Sequence, residues 1–501
     1  MRSTCRIPVY FIWVVLVCPL LHGQSSKLIE ESNRARDLMA SGKYEEAIPI
    51  YRSLVAAVPG NAGLITNLGV AYHMAGHEQE AVIELGKALK LDPRSVPANL
   101  YLGYAYLSLG EPAKAIAPLE VAVRADPSDS TAQGNLAEAL FALKRFREAA
   151  AQFEKLAHLD PGNPEVWYRL GLCYQALSQQ SFDDLQRVAP ASAYWLALVA
   201  DSRAKAMELS SAFYLYRQAL AKDPKLRGIH AALAAVYEKS GHADWARTEQ
   251  RREEQMGKPN CAIEKYECAF RDGHYQQLAG LQGKTPEIYY WKTKAYQKLA
   301  VDALAHLGQL PPSPQLHELL ATINANERQF PAAVEEWRKA YELSGHNIDI
   351  GKQLVLALFQ VQNFTEAREL LQGLVEKQPK SAELNYLYGF TLLSLKQPKD
   401  AAHYLELSLQ MEPGSLPAHS ALAQAYLAMG ESKRAIPHLK AALPIDHDGS
   451  IHYQLARAYQ ASGQMELARD MLEQYQKIHS AQQAEQQTLQ EQVRITAPGP
   501  G

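Results

Sequence analysis

The sequence is poor in the groups that carry chemistry. It has five cysteines in 501 residues and no C-x-x-C, no H-E-x-x-H and no G-x-x-x-x-G-K-[ST]. The first two absences remove the common zinc-binding spacings, and the third removes a phosphate-cradling loop. Sixteen histidines do not alter this. His73 and His77 are four apart, but Gly76 lies between them and breaks their shared helix face. No nucleophile stands in a pattern with a paired base. The chain is therefore expected to be non-enzymatic, with no cofactor and no metal. A basic excess is missing too: the formal net charge is −3, which argues against nucleic acid as a partner. Carboxylates are plentiful, but they fall at helical spacing from Lys or Arg, as Glu335 does from Lys339, which is the pattern of a solvated face.

Long apolar runs are also scarce. The exception is Val9 to Val17, preceded by Arg2 and Arg6 and followed by Pro19, Gly23 and a polar stretch from Ser25. This order reads as a secretory signal peptide over residues 1–24, and the run is short for a membrane span. Two other readings stay open. One is an uncleaved anchor over residues 9–21, which would be the chain's only link to a membrane. The other is a lipoprotein at Cys18, although Val17 stands where a small residue is needed. Export would place the protein in the periplasm or outside the cell. Cys173, Cys261 and Cys268 would remain after cleavage. On one straight helix Cys261 and Cys268 would have Cα atoms roughly 10 Å apart, beyond disulfide reach. Pro259 and Asn260 precede them, however, so Cys261 can lie off the helix and close a bridge. The alternative is two buried thiols in a degenerate stretch.

What is abundant is repetition. The unit from Ala62 has Leu68, Gly69, Tyr72, Gly76, Ala81, Ala88 and Pro93, and the unit from Val96 has Leu102, Gly103, Tyr106, Gly110, Ala115, Ala122 and Pro127. Units from Leu28, Ser130, Ala382 and Leu416 keep the same register. The seventh and eighth positions lie on one helix face, and the small eighth residue lets a second helix approach. Ala at the twentieth position is expected to take the other side of that contact. Gly near the fifteenth ends the first helix, and Pro at the thirty-second closes the second. The middle is less regular. From Pro164 the unit runs only to Ala191, with Phe182, Leu185 and Pro190 marking a second helix, and the segment from Pro286 repeats it. Glu165, Tyr168, Tyr174, Gln175, Leu185 and Pro190 recur as Glu287, Tyr290, Tyr296, Gln297, Leu307 and Pro312, which reads as an internal duplication.

At Trp167 the chain reads W-Y-R-L-G-L-C-Y, with Trp167, Leu170, Gly171 and Tyr174 fitting W-x2-L-G-x2-Y. This pattern resembles that of tetratricopeptide repeat (TPR) proteins. The resemblance covers Leu28 to Ser480 and implies an all-α, right-handed superhelical solenoid of about 13–14 helical hairpins. The expected organisation is a signal peptide (1–24), an amino-terminal array (25–258), a degenerate hinge (259–285), a carboxy-terminal array (286–480), and a Gln-rich capping helix with a disordered tail (481–501). TPR arrays also precede the catalytic domain of transferases that put N-acetylglucosamine on Ser and Thr. Asn67 and Asn135 match the groove Asn of those arrays, but no catalytic sequence follows them here.

The resemblance implies that positions two, five, nine and twelve of each first helix face a concave groove. These give Leu100, Tyr104, Leu107, Phe141 and Tyr168 in the first array, and Phe359, Tyr386 and Phe390 in the second. A carboxylate clamp would need Asn at position nine, and none is there; Lys352 is the only Lys at five. An aromatic, apolar groove suits a partner's helix or extended peptide. The alternative is that these side chains pack onto neighbouring repeats. Two functions follow: an adaptor or scaffold of the cell envelope that binds other proteins, or a structural subunit or assembly factor of an envelope secretion or polymer-export complex.

Overall fold

The computed structural model describes residues 18–492 and 494–499. Most of the expected signal peptide, residues 1–17, lies outside them. The chain divides into two compact units: Met1–Leu177 with Ala300–Ala303, and Ser178–Leu299 with Leu304–Gly501. The boundaries fall inside two helices, at 177–178 in one and at 299–300 and 303–304 in the other, and the degenerate stretch 259–285 lies whole within the second unit.

Unit one is built of antiparallel pairs: α1 (Cys18–Ala40) with α2 (Tyr44–Ala57), α3 (Ala62–Met74) with α4 (Glu78–Leu91), α5 (Val96–Ser108) with α6 (Pro112–Ala125), and α7 (Ser130–Ala142) with α8 (Phe146–Leu159). Helix α9 (Pro164–Val188) follows and crosses into unit two. There the pairs are α10 (Ala193–Lys205) with α11 (Leu209–Lys222), α12 (Ile229–Lys239) with α13 (Ala243–Gln255), and the short α14 (Lys265–Arg271) with α15 (Tyr275–Ala279). After α16 (Pro286–Leu307) come α17 (Pro314–Asn326) with α18 (Phe330–Leu343), α19 (Ile348–Gln360) with α20 (Phe364–Lys377), and α21 (Ala382–Ser394) with α22 (Pro398–Met411). The last are α23 (Leu416–Ala428) with α24 (Ser432–Ala442), and α25 (Ser450–Ala461) with α26 (Met465–Gln492). No strand occurs among the described residues. None of their helices is long and apolar enough to cross a membrane.

The two short units expected as hairpins are instead single long helices, α9 and α16. The reason is local. Elsewhere the fifteenth position holds a left-handed residue that stops the first helix: Gly110 at φ 71°, or Lys144 strained into φ 58°. In α9 and α16 that position is Ser178 and Ala300, and the helix continues. The duplicated Leu185 and Leu307 are both fully buried. Within unit two the copies meet, with the Ser178 hydroxyl donating to the Thr293 carbonyl at 3.3 Å.

The eighth-position glycines set the spacing within pairs. A Cβ on Gly69 would stand 2.5 Å from Leu85 Cγ, one on Gly103 2.5 Å from Leu119 Cγ, and one on Gly389 2.7 Å from Leu405 Cγ. The partner is thus the twenty-fourth residue. The twentieth residues Ala81, Ala115 and Ala401 are buried beside it. Pair is joined to pair by a bond that recurs at position four. Asn99, Gln133, Trp167, Asn385 and His419 each donate a side-chain N–H to the carbonyl of the proline six residues earlier.

Two predictions follow from this packing. Gly103→Val should cost about 1–3 kcal/mol by overpacking against Leu119. Gly86→Ala, in the interior of α4 with open space around it, should stabilise by about 0.5–1 kcal/mol. Urea denaturation of the two variants measures both, and equal effects would refute the spacing argument.

His419 and His438 form a pair, Nδ1 to Nδ1, at 2.8 Å. His419 Nε2 donates to the Pro413 carbonyl at 3.0 Å, and in the neutral tautomer this leaves its Nδ1 to accept from His438. Burial, then the charge of His419, hold the His438 pKa below the ordinary 6.5; Glu406 opposes this and Arg434 adds to it. The folded chain therefore binds fewer protons than the unfolded chain just below pH 6.5, and stability falls as pH drops through that window. His438→Gln should flatten this acid-side slope in denaturation midpoints measured from pH 7.5 downward. An unchanged slope would show that the pair does not titrate in that range.

Candidate groove on the first helices

Along unit one, α3 packs beside α5 and α5 beside α7, so first helices line one face. All eight residues expected in the groove are half-buried: Leu100, Tyr104, Leu107, Phe141 and Tyr168, and Phe359, Tyr386 and Phe390. None is sealed in the core, and none stands free.

In unit one two of them, Tyr104 and Phe141, sit in separate aromatic clusters. Tyr104 packs against Tyr101 at 5.6 Å and His73 at 6.1 Å, and His73 meets Tyr101 at 5.7 Å between ring centroids. The His73 ring is fixed by Glu78 at 2.8 Å. The Tyr104 hydroxyl is buried and has no hydrogen-bond partner among the described residues. Burial, aided by the negative charge of Asp129, pushes its pKa up to about 12, so it stays a neutral donor. Phe141 meets Phe146 edge-on at 5.4 Å, and the Arg169 guanidinium lies over its ring at 5.2 Å. Tyr168 adjoins this second cluster in sequence. In unit two, Phe359 and Phe390 lie 5.5 Å apart with Tyr386 6.3 Å from Phe390, and all three pack against the core of the last repeats.

Sequence reasoning missed an acidic cleft in unit one. Thr131, Gly134, Asn135 and Glu138 of α7 face Asp160, Asn163 and Glu165 across an open pocket. Arg169 spans it, 3.1 Å from Glu138 and 2.6 Å from Glu165. Burial outweighs the pull of Arg169 and raises the Glu138 carboxyl above its ordinary value. The same surroundings push the buried Cys173 thiol up to about 12, which leaves it protonated and inert. The signal was present in Glu138 and Glu165, at positions nine and two of successive units, but a search for apolar groove residues passes over it. This part of unit one is therefore mixed, with aromatic clusters beside a carboxylate-lined cleft.

Cys261 and Cys268 are joined by a disulfide, with Cα atoms 5.7 Å apart. Cys261 precedes α14 and the chain folds back to reach it. Among the described residues no group of three or more His, Cys, Asp or Glu is placed to hold a metal.

Stacked helical pairs of one repeated register define a helical-repeat protein. Tetratricopeptide-repeat family models match residues 110–167 and 392–454, residues 32–96, 84–130 and 352–416, and residues 452–480. The chain belongs to the tetratricopeptide repeat proteins, and as such it is a protein-interaction scaffold, a role that is generally non-catalytic. No curated protein matches it. Among solved structures it is similar to MamA from Desulfovibrio magneticus RS-1, at 17% identity over 34% of this chain and 96% of that one, with a TM-score of 0.32. YrrB, a TPR protein with an unusual peptide-binding site, is 19% identical over 41% of this chain and 92% of its own, with a TM-score of 0.30. The APC/C hetero-tetramer Cut9–Hcn1 is 14% identical over 96% of this chain and 99% of that one, at 0.33.

Proposed function

We propose that this protein is an exported scaffold of the cell envelope, and that it grips partner peptides or helices in the groove on the first helices of unit one. One observation carries the groove reading. The Tyr104 hydroxyl is buried within a half-buried aromatic cluster and finds no partner within the described chain. Buried hydroxyls are rarely left unmade, and a rotation of the half-buried ring on docking would let a partner's carbonyl or carboxylate complete this one. Clustered aromatics beside it supply the apolar anchor typical of binding hot spots.

Crosslinking in the native host, followed by affinity measurement with the partner recovered, tests this. Tyr104→Ala with Phe141→Ala should weaken binding more than tenfold, while helical content stays unchanged. Tyr104→Phe, which keeps the ring and removes the hydroxyl, should lose part of the affinity without losing stability. A double variant that binds fully but melts much lower would make these residues packing groups. Recovery in a stoichiometric membrane complex would favour the assembly-factor reading.

Export is supported by the basic, apolar, polar order of residues 1–24 and by the Cys261–Cys268 disulfide, since such bonds persist in oxidising compartments. Mass spectrometry of protein from the native host should find an amino terminus near Gln24 or Ser25. A retained Met1 on a cytosolic, fully reduced chain would refute it.

A further inference from the structure

The segment Arg494–Gly499 is seated on unit two. Ile495 packs on the apolar cluster built from α10 to α13 and Tyr289 and Tyr290 of α16. The Tyr237 hydroxyl donates to the Thr496 carbonyl at 2.7 Å, and the Arg252 guanidinium donates to the Gly499 carbonyl. Both bonds go to main-chain oxygens three residues apart. They read main chain rather than side chains in a stretch without helix or turn, and the packed side chain ahead of them is aliphatic, which is how peptide-recognition surfaces divide affinity from specificity.

The donors are held by the repeat itself. Tyr237 is wholly buried, with Phe213 and Trp245 each 5.6 Å from its ring. Arg252 is fixed by Glu249 at 2.9 Å, and the buried Glu249 carboxylate also meets His230 at 2.5 Å. The segment contributes little in return. Arg494, Thr496 and Ala497 are exposed, and only Ile495, Pro498 and Gly499 are half-buried, so its hold is slight. Helix α26 ends at Gln492, two positions before the segment, so the tether presents it at high local concentration.

We propose that Tyr237, Arg252 and the neighbouring apolar cluster form a second peptide site, closed by the chain's own segment 494–499. The competing ligand is an extended peptide with an aliphatic residue just ahead of the first bonded carbonyl. This site shares no residue with the groove of unit one, so either proposal can fail without the other.

Fluorescence anisotropy on the full chain tests it, with a labelled peptide of residues 490–501 as probe. Ile495→Asp should release the segment and bind the probe at least tenfold more tightly than the wild-type chain does. Adding Tyr237→Phe, which keeps the ring and removes the donor, should reverse most of that gain. A probe carrying Ile495→Asp should not bind. The milder Ile495→Ser should open the site in the same direction if Ile495→Asp unfolds the chain. Equal probe binding by the closed and opened chains, or none by either, would overturn the proposal. So would sedimentation showing that the wild type dimerises and Ile495→Asp does not, because the segment would then sit on a second copy.

Discussion

Everything in the repeats depends on how closely the two helices of a pair can approach. A bulky leucine at the twenty-fourth position lies against bare backbone at the eighth, in Gly69 over Leu85, Gly103 over Leu119 and Gly389 over Leu405. The leucines are fully buried, so each pair closes on a single large side chain and excludes water at its centre. Where the eighth residue is Ala137 or Ala423, the same closure is reached with one methyl group, also fully buried. A pair closed this way still has apolar flanks. Stacking the next pair buries them, which is why such units persist only as arrays.

The register was legible because these steric demands fall at fixed positions. A small eighth residue, a left-handed fifteenth and a proline thirty-second each answer one local constraint, and together they place most helices. Reading stopped where a constraint was absent. Residues 164–191 look like a short hairpin if the period is imposed. Yet Ser178 and the residues up to Phe182 contain no Gly or Pro, and nothing there tells the backbone to turn. The position-four bond was also hidden. Asn, Gln, Trp and His share no hydrophobicity or size, only an N–H that reaches a carbonyl six residues back. A pattern search built on residue classes does not group them, whereas a search for donors would.

The candidate groove was half legible. Its aromatic candidates follow from position alone, and they come to rest half-buried, between core and solvent. The structure adds that His73 and Arg169, both polar, complete the two aromatic clusters. The carboxylates of the adjoining cleft are equally regular in the sequence. They were assigned to solvent because exposed helix faces are usually charged. The 494–499 segment had no signal at all. Composition marked it as disordered, and it is held by contacts to residues 247 and 259 positions away, which local pattern cannot anticipate.

The degenerate stretch shows what replaces the repeat where its own rule fails. Helices α14 and α15 have 7 and 5 residues, too few to bury a shared stripe. Two devices compensate. The disulfide from Cys261 to Cys268 closes the turn into α14 and removes freedom from the unfolded chain. Arg227, only 14% exposed, donates to the carbonyls of Met256 and Gly257 and pairs with Glu264 and Glu267. It thereby ties the start of α12 to the far side of the same turn. Glu264 is held below its ordinary pKa by the Asn260 amide and by Arg227, so the bonded form is the charged one. A short unit can thus keep its place in the array with little core of its own, provided that covalent and ionic ties substitute for packing. Those ties are local, and they leave the neighbouring pair α12–α13 with an intact apolar surface, the one on which the 494–499 segment rests.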